Sequence, residues 1–239
     1  MTLHDDLEKL ARACRILEME GHGDMTLGHA SLRDPEGRGF WLKRNRVGLG
    51  EILGPADFVL VDFDGEKRAG DGGRHSEWPI HSEILRRRAD VAVVVHSHPL
   101  HASVMSGIDE AIEPFTLEAD YFSRLPRHAD EVALVTTKAE GAALAAALGD
   151  AFAVLMNNHG VMFCGTSIEH AVCVGVFLEH ACCAHLLGRA AGGHAIALSA
   201  AVRQRRHGQI MTPVHVEHCW NFFCRKLEAR APAGAAIFG

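Results

Sequence analysis

The segment Val91-Ala92-Val93-Val94-Val95-His96-Ser97-His98-Pro99 joins a strand-length apolar run to two histidines. Side chains alternate between the two faces of a strand, so His96 and His98 are expected to project from the same face. Two imidazoles at the end of a buried strand supply half of a metal site. Two polar residues that merely end a strand in water would give the same pattern, so this motif alone leaves both interpretations open.

A second apolar segment, 151–156, leads into Asn157-Asn158-His159-Gly160. A third imidazole from a neighbouring strand end would complete a site made of His96, His98 and His159. Three neutral protein ligands leave a coordination position open for water or substrate, which is typical of a catalytic metal. They also leave the charge of a divalent cation uncompensated, and this suits stabilisation of an oxyanion or enolate.

A third segment, His75-Ser76-Glu77-Trp78-Pro79-Ile80-His81, lies between a glycine-rich stretch and a helix predicted over 79–88. Glu77 could be a general base. It could also be a first-turn carboxylate favoured by the helix dipole. Taken alone, Glu77 favours the structural interpretation, whereas its combination with the histidine motifs favours the catalytic one.

The chain has 239 residues, of which 48% are hydrophobic and 23% charged, and this predicts a single globular domain over 1–239. Strands alternate with helices but hairpins also occur, so we expect an α/β fold with a mixed sheet covered by helices on both faces. The strands and hairpin arms are predicted at 30–33, 39–43, 58–62, 66–69, 91–97, 130–136 and 151–157. The helices are predicted at 5–20, 79–88, 100–105, 139–148, 167–189 and 214–225.

Composition excludes several classes of function. The net charge of -6 argues against a nucleic-acid partner. No apolar run reaches the roughly 18 residues of a membrane span. Seven scattered cysteines and the absence of an apolar leader predict a reduced, cytoplasmic protein. Cys173, Cys182 and Cys183 share one helix with three histidines, where close packing is preferred over a second metal site. The basic run 203–206 is expected in a solvated loop or a subunit contact.

Four motifs together resemble the class II aldolase/adducin family. They are Gly28-His29-Ala30-Ser31-Leu32-Arg33, Ser76-Glu77 followed by His81, His96-Ser97-His98-Pro99, and Asn158-His159-Gly160. The resemblance runs from about Leu7 to Leu187. It implies a three-layer α/β/α sandwich around a mixed, mostly antiparallel sheet. It also implies one divalent metal ion per subunit on His96, His98 and His159, with Glu77 as the acid/base residue.

The resemblance further implies a homotetramer with active sites at subunit interfaces. In that arrangement 207–239 forms a C-terminal tail that could reach a neighbouring subunit. The three-histidine set suits zinc, and also manganese or iron, so the sequence does not choose among them.

The chain departs from the pattern of the family's sugar-phosphate aldolases, which hold a phosphate with hydroxyl-rich loops and use tyrosines as proton donors. Here the matching loops carry His29, Arg46 and His75, and the chain contains one tyrosine, Tyr121. Arginine and histidine can hold a planar carboxylate. We therefore expect a small-molecule carboxylate substrate. The residues expected to bind it are His29, Ser31, Arg46, His75 and Ser76, with Glu77 and Tyr121 as the catalytic pair.

These motifs favour a metal-dependent carbon–carbon lyase that decarboxylates a small aromatic or ring-cleavage carboxylate through a metal-stabilised enolate. One alternative is a class II aldolase of the sugar-phosphate type, which releases an aldehyde. Another is a non-catalytic, adducin-like binding protein.

Overall fold

The computed structural model describes residues 2–122, 124–129 and 133–230. Across these residues, eight strands form one sheet in the order β4-β3-β2-β1-β5-β8-β7-β6. Neighbouring strands are antiparallel except for the parallel β6–β7 pair. The strands are β1 (His29–Arg33), β2 (Phe40–Lys43), β3 (Phe58–Val61), β4 (Lys67–Ala69), β5 (Val93–Ser97), β6 (Arg127–His128), β7 (Ala153–Met156) and β8 (Gly160–Gly165).

Helices cover both faces of this sheet. They are α1 (Leu3–Leu17), α2 (Trp78–Arg87), α3 (Leu100–Ser106), α4 (Lys138–Leu148), α5 (Ile168–Ala190), α6 (Ala200–Ile210) and α7 (Pro213–Arg230). A π-helical turn, Glu18–His22, follows α1 and ends its regular geometry, with Gly21 in the left-handed region at φ 94°. This turn leads the chain towards the end of β5.

The central strand β5 shows how the layers are built. Val93 and Val95 enter a core formed with α1, α3, α5 and α7 on one side of the sheet. Val94 enters a second core formed with α2 and α4 on the other side. Because successive side chains of an extended strand point to opposite faces, this one apolar run contributes side chains to both cores. The resulting three-layer α/β/α sandwich confirms the predicted fold class.

Most predicted elements are present, but two predictions are wrong. In the strand expected at 130–136, residues 133–136 are irregular, residues 130–132 lie outside the described part of the chain, and the strand of this region is β6. The basic run 203–206 lies inside α6 and not in a loop, whereas the alternative of a subunit contact stays a prediction. Its Arg203 and Arg206 reach the buried carboxylate of Asp120 at 3.2 and 2.7 Å, and this pairing holds α6 against the fold. Strand β8 was not predicted.

Helix α5 accounts for the most apolar stretch of the chain. By length and composition it could cross a membrane, but 61% of that window is buried within the fold. Cys173 and Cys182 are buried on this helix, and both are free thiols. The apolar character of α5 is explained by its position in the core.

The first part of the C-terminal segment packs into the hydrophobic core. Helix α7 packs against α1 and α5 in the same chain, with Trp220, Phe223 and Cys224 buried. The last residues of the predicted tail, 231–239, lie outside the described residues. The reach of this tail towards a neighbouring subunit stays a prediction.

Candidate functional site

A cavity of about 910 Å³ opens where the end of β5, the β7–β8 turn and the start of α2 meet. Its polar lining comes from Asp24, His75, Ser76, Glu77, His98, Ser103, Asn157, Asn158 and His159. Its apolar lining comes from Leu27, Leu100, Ala133 and Leu134. Among the described lining residues there is no lysine and no arginine.

The structure brings the three predicted imidazoles together. The Nε2 atoms of His96 and His98 lie 3.0 Å apart. The ring centroid of His159 lies 4.8 Å from that of His96 and 5.2 Å from that of His98. One nitrogen from each ring falls within 4.8 Å of the others, a grouping that could hold a metal ion.

Hydrogen bonds on the far side of the rings orient these nitrogens. His96 Nδ1 donates to the Val161 carbonyl at 3.0 Å. His98 Nδ1 lies 2.9 Å from Asp24 Oδ2 and donates to that carboxylate. Both Nε2 atoms therefore present lone pairs to each other, an arrangement that a shared cation would stabilise. The donor set thus fits a divalent metal of the zinc, manganese or iron type.

The β7–β8 turn delivers the third imidazole. Asn158 adopts the left-handed conformation at φ 53°, which asparagine tolerates better than most residues. The following Gly160 passes close to His98, because a Cβ at Gly160 would lie 2.5 Å from His98 Cδ2 and 2.8 Å from the Ser97 carbonyl oxygen. Glycine at this position therefore lets His98 and His159 share one wall of the cavity.

Glu77 lies at the entrance of α2, immediately before its first helical residue. Its Oε1 accepts a hydrogen bond from the Val135 backbone N–H at 3.0 Å, and its Oε2 lies 3.7 Å from His96 Nε2. Burial raises the pKa of Glu77 to about 7, against the opposing effect of the Val135 N–H. A carboxyl group with this pKa can both give and take a proton near neutral pH.

Behind Glu77 lies a buried polar layer formed by His29, Ser31 and His81. His29 Nδ1 lies 2.7 Å from His81 Nε2, and His81 Nδ1 lies 2.7 Å from Ser31 Oγ. Burial lowers the pKa of His81 to about 3 and the pKa of His29 well below its usual value. These imidazoles are therefore neutral at physiological pH.

The residues predicted to bind substrate occupy three kinds of position. His75 and Ser76 line the cavity, and the buried His75 Nε2 makes no hydrogen bond within the described residues. His29 and Ser31 lie fully buried behind the cavity lining. Arg46 is exposed at a left-handed φ of 62° and is not among the lining residues.

Tyr121, predicted as catalytic, is not brought to this cavity by the single chain. It lines a smaller, separate cavity, and its ring packs on Phe177 at a centroid distance of 4.4 Å. Burial raises the pKa of its hydroxyl group far above the usual value. A catalytic role for Tyr121 stays a prediction that depends on an assembly of subunits.

Two residues at this site were missed by sequence reasoning. Asp24, in the loop after the π-helical turn, accepts the hydrogen bond of His98 Nδ1. His22 Nδ1 lies 2.9 Å from Ser97 Oγ, on the opposite face of β5. Neither carries a local motif, because their partners are more than 70 positions away in sequence. The chain contains 17 histidines against three tryptophans and one tyrosine, and this excess of histidine was the available hint for His22.

An α/β/α sandwich with three converging imidazoles and a buried glutamate at one strand end has the architecture of a metal-dependent enzyme. Residues 8–186 match the family described as "Class II Aldolase and Adducin N-terminal domain". The chain belongs to this family, which includes aldolases and decarboxylases.

Individual relatives support the same placement. A 3,4-dihydroxyphthalate decarboxylase from Arthrobacter keyseri is 33% identical over 198 residues, covering 78% of this chain and 79% of the relative. A 5-methylthioribulose-1-phosphate/5-deoxyribulose-1-phosphate aldolase from Rhodospirillum rubrum is 29% identical over 174 residues. The match covers 71% of this chain and 75% of the relative. The crystal structure of an aldolase II superfamily protein from Pseudomonas syringae superposes with a TM-score of 0.85 at 26% identity. The superposition covers 96% of this chain and 95% of that protein.

Proposed function

We propose that this protein is a metal-dependent carbon–carbon lyase that decarboxylates a small aromatic or ring-cleavage carboxylate. The observation that carries the proposal is the convergence of His96, His98 and His159 beside Glu77, which has a pKa of about 7. We assign these three histidines as the ligands of one divalent metal ion. When bound, the metal would withdraw electron density from a substrate oxygen and so favour cleavage of the adjacent carbon–carbon bond.

Glu77 is the proposed proton donor to the carbon that loses carbon dioxide. Its carboxyl group is poised near neutral pH by burial. Its position beside His96 Nε2 places it within reach of a substrate held at the imidazole cluster. After the proton is delivered, the carboxylate keeps the Val135 N–H as its hydrogen-bond partner.

The cavity lining favours a substrate with an apolar body and a carboxylate over a sugar phosphate. Leu27, Leu100 and Leu134 provide apolar surface, as an aromatic ring would require. His75 and Ser76 provide hydrogen-bond donors for a carboxylate, whereas the described lining residues include no lysine or arginine to balance a phosphate dianion. The relative named for 3,4-dihydroxyphthalate supports this choice of substrate class.

The test is product analysis with the metal-loaded protein. We expect 3,4-dihydroxyphthalate, or another ring carboxylate with adjacent hydroxyl groups, to release carbon dioxide. We expect Glu77→Gln to keep the metal and lose turnover, and His96→Ala to lose both. Full activity of metal-free His96→Ala protein would overturn the proposed metal role, and a rate for Glu77→Gln close to that of the unmodified enzyme would overturn the proton role.

An aldolase reaction is the second candidate, favoured by the similarity to the Rhodospirillum rubrum aldolase. Both reactions break a carbon–carbon bond next to an oxygen-bearing carbon, so a metal held by the same three imidazoles would serve either one. Release of an aldehyde from a sugar phosphate, with no carbon dioxide from any carboxylate tested, would decide for the aldolase.

The resemblance to the family also leads us to propose a cytoplasmic homotetramer in which a neighbouring subunit brings Tyr121 or the 207–239 tail to the cavity. Light scattering on the purified chain measures the subunit number. A monomer with full activity would exclude a shared site.

A further inference from the structure

Helix α7 packs on α5 at a pair of cysteines that the proposed lyase reaction does not use. Cys173 of α5 is fully buried and Cys219 of α7 is half-buried, and both are free thiols. Cys173 Sγ lies 3.8 Å from the carbonyl oxygen of Val216, which is one helical turn before Cys219. The Cys173 thiol also donates a hydrogen bond to the Cys219 sulfur. The two sulfurs are therefore neighbours across the α5–α7 interface.

The surroundings of the two thiols make them unequal. Their shared hydrogen bond lowers the pKa of Cys219, and the same bond together with burial raises the pKa of Cys173. His215 Nε2 lies 3.5 Å from Cys219 Sγ, at the i, i+4 spacing of one face of α7. An imidazole beside a thiol can accept its proton, and the thiolate is the nucleophilic form of cysteine. Cys219 is therefore the better nucleophile of the pair.

Aromatic rings surround the same cluster. The ring centroid of His215 lies 5.8 Å from that of Tyr121 and 6.3 Å from that of Phe177. Burial raises the pKa of the Tyr121 hydroxyl group, and negative charge on Cys219 or Cys173 raises it further, so Tyr121 lies near both sulfurs. Because Cys173 is fully buried and Cys219 is only half-buried, a reagent from solution meets Cys219 first.

We propose that Cys219 and Cys173 form an oxidation site for hydroperoxides, with Cys219 as the reacting thiol and Cys173 as the resolving thiol. In the first step the Cys219 thiolate attacks one oxygen of the hydroperoxide and the O–O bond breaks. The second oxygen leaves as an alcohol, or as water from hydrogen peroxide, with the proton that His215 has accepted. Cys219 is then a sulfenic acid.

In the second step the Cys173 sulfur attacks the Cys219 sulfur. An S–S bond forms, the S–O bond of the sulfenic acid breaks, and the hydroxyl group leaves as water with the Cys173 proton. The two sulfurs together lose two electrons, which the hydroperoxide gains. The resulting disulfide joins the C-terminal helix α7 to the core helix α5.

The test treats the reduced, purified full chain with one equivalent of hydrogen peroxide. We expect the loss of two of the seven thiols and of two hydrogen atoms in mass, and peptide mapping should find Cys173 joined to Cys219. In Cys173→Ala, the sulfenic acid on Cys219 should persist and form an adduct with dimedone. The matched control is Cys183→Ser, which changes a half-buried thiol on the same helix α5 and should leave the cross-link unchanged.

The rate of thiol loss tests the role of His215. His215→Asn should slow the reaction at least about tenfold near neutral pH, since a positioned base contributes about 100-fold or more to a proton transfer. The slowing should disappear at about pH 10, where a thiol ionises without a base. His218→Asn, which changes an exposed histidine of α7, should alter the rate less than about twofold. Equal rates for the two variants would remove the base role from His215.

A chain in which Cys173 and Cys219 stay reduced while other thiols react would overturn the oxidation site. So would a disulfide from Cys219 to another cysteine or to another chain, or a lasting sulfenic acid on Cys219 in the unmodified protein. If Cys173→Ala does not fold, the peptide map of the unmodified chain decides the question. These readouts do not use turnover, so their failure leaves the proposed lyase intact.

Discussion

Asp24 Oδ2 lies 2.9 Å from His98 Nδ1, so a loop carboxylate far away in sequence fixes the orientation of one candidate metal ligand. Outer partners of this kind set the tautomer of a ligating histidine and raise its basicity. The contribution of Asp24 to metal affinity should therefore be measurable without any substrate.

Asp24→Asn should weaken metal affinity by about 10–100-fold, the usual cost of losing an outer-sphere carboxylate. The amide keeps the shape of the side chain but removes its charge, so folding should be unaffected. Competition with a chromogenic chelator measures the affinity, and substitution of the exposed Asp71 by Asn is the control. An unchanged affinity would show that the Asp24–His98 contact does not tune the site.

Gly160→Ala should disturb the site by steric overlap. The added Cβ would lie 2.5 Å from His98 Cδ2 and 2.8 Å from a backbone oxygen, so the β7–β8 turn or His98 must move. We expect metal affinity at least about tenfold weaker and a loss of about 1–3 kcal/mol in the free energy of unfolding. Gly54→Ala, which would meet no atom within 4 Å and has an extended φ of -176°, should leave both quantities unchanged. Wild-type affinity in Gly160→Ala would contradict the proposed close packing.

His22 should make the protein less stable in acid. Burial lowers the pKa of His22 to about 4 from an ordinary value near 6.5. The unfolded chain therefore binds this proton at a higher pH than the folded chain does. The stabilising effect of neutral His22 is complete above about pH 6.5 and is lost as the pH falls towards 4, by about 3 kcal/mol.

His22→Asn removes this titration while keeping a donor near Ser97 Oγ. In urea unfolding of metal-free protein, the variant should lose stability less steeply between pH 6.5 and about 4 than the unmodified chain does. Substitution of the exposed His4 by Asn provides the comparison for an unburied imidazole. Parallel pH profiles for His22→Asn and the unmodified chain would rule out this contribution.

In metal-free protein, Glu77 should make the fold less stable as the pH rises, which is the opposite pH dependence from that of His22. Its pKa is raised to about 7, so the folded chain holds this proton at a pH where the unfolded chain has released it. The contribution of Glu77 to stability is present below about pH 4.5 and is lost as the pH rises through 7, by about 3 kcal/mol.

Glu77→Gln should therefore raise the stability of the metal-free protein most clearly above pH 7, because a neutral amide replaces a buried charge. Chemical unfolding at pH 5 and pH 8 in the presence of a chelator measures the difference. Glu83→Gln, one helical turn and a half further along α2, is the control. A Glu77→Gln protein equally stabilised at both pH values would argue against ionisation of Glu77 as the cause.

The secondary structure was easiest to predict where a single strand has a distinctive local pattern of apolar and polar residues. The apolar run before His96 and His98 predicts β5, its burial and the shared face of the two imidazoles, and all three are observed. Strand β8 was harder to predict, because the turn at Asn158 is recognised only from its backbone conformation. The basic run in α6 is predicted as a loop because the buried partner of Arg203 and Arg206, Asp120, lies more than 80 positions earlier in the chain.

The grouping of the candidate ligands could be predicted from the sequence, but the residues that support them could not. His96, His98, His159 and Glu77 belong to motifs that can be read locally. The layer behind them depends on strand register and on helix α2 packing over the sheet, which no short window of sequence encodes. This is why His29 and Ser31 are expected to touch substrate from the sequence, yet lie behind the cavity wall.

His29 and His96 are direct register partners on the antiparallel strands β1 and β5. A slip of one residue between these strands would turn His29 away from the other imidazole, because side chains alternate across the sheet. A chain with the wrong strand register would therefore lack the buried polar layer that His29 forms with His81 and Ser31. The strand register that fills the two apolar cores therefore also sets the positions of the polar side chains beside the candidate metal ligands.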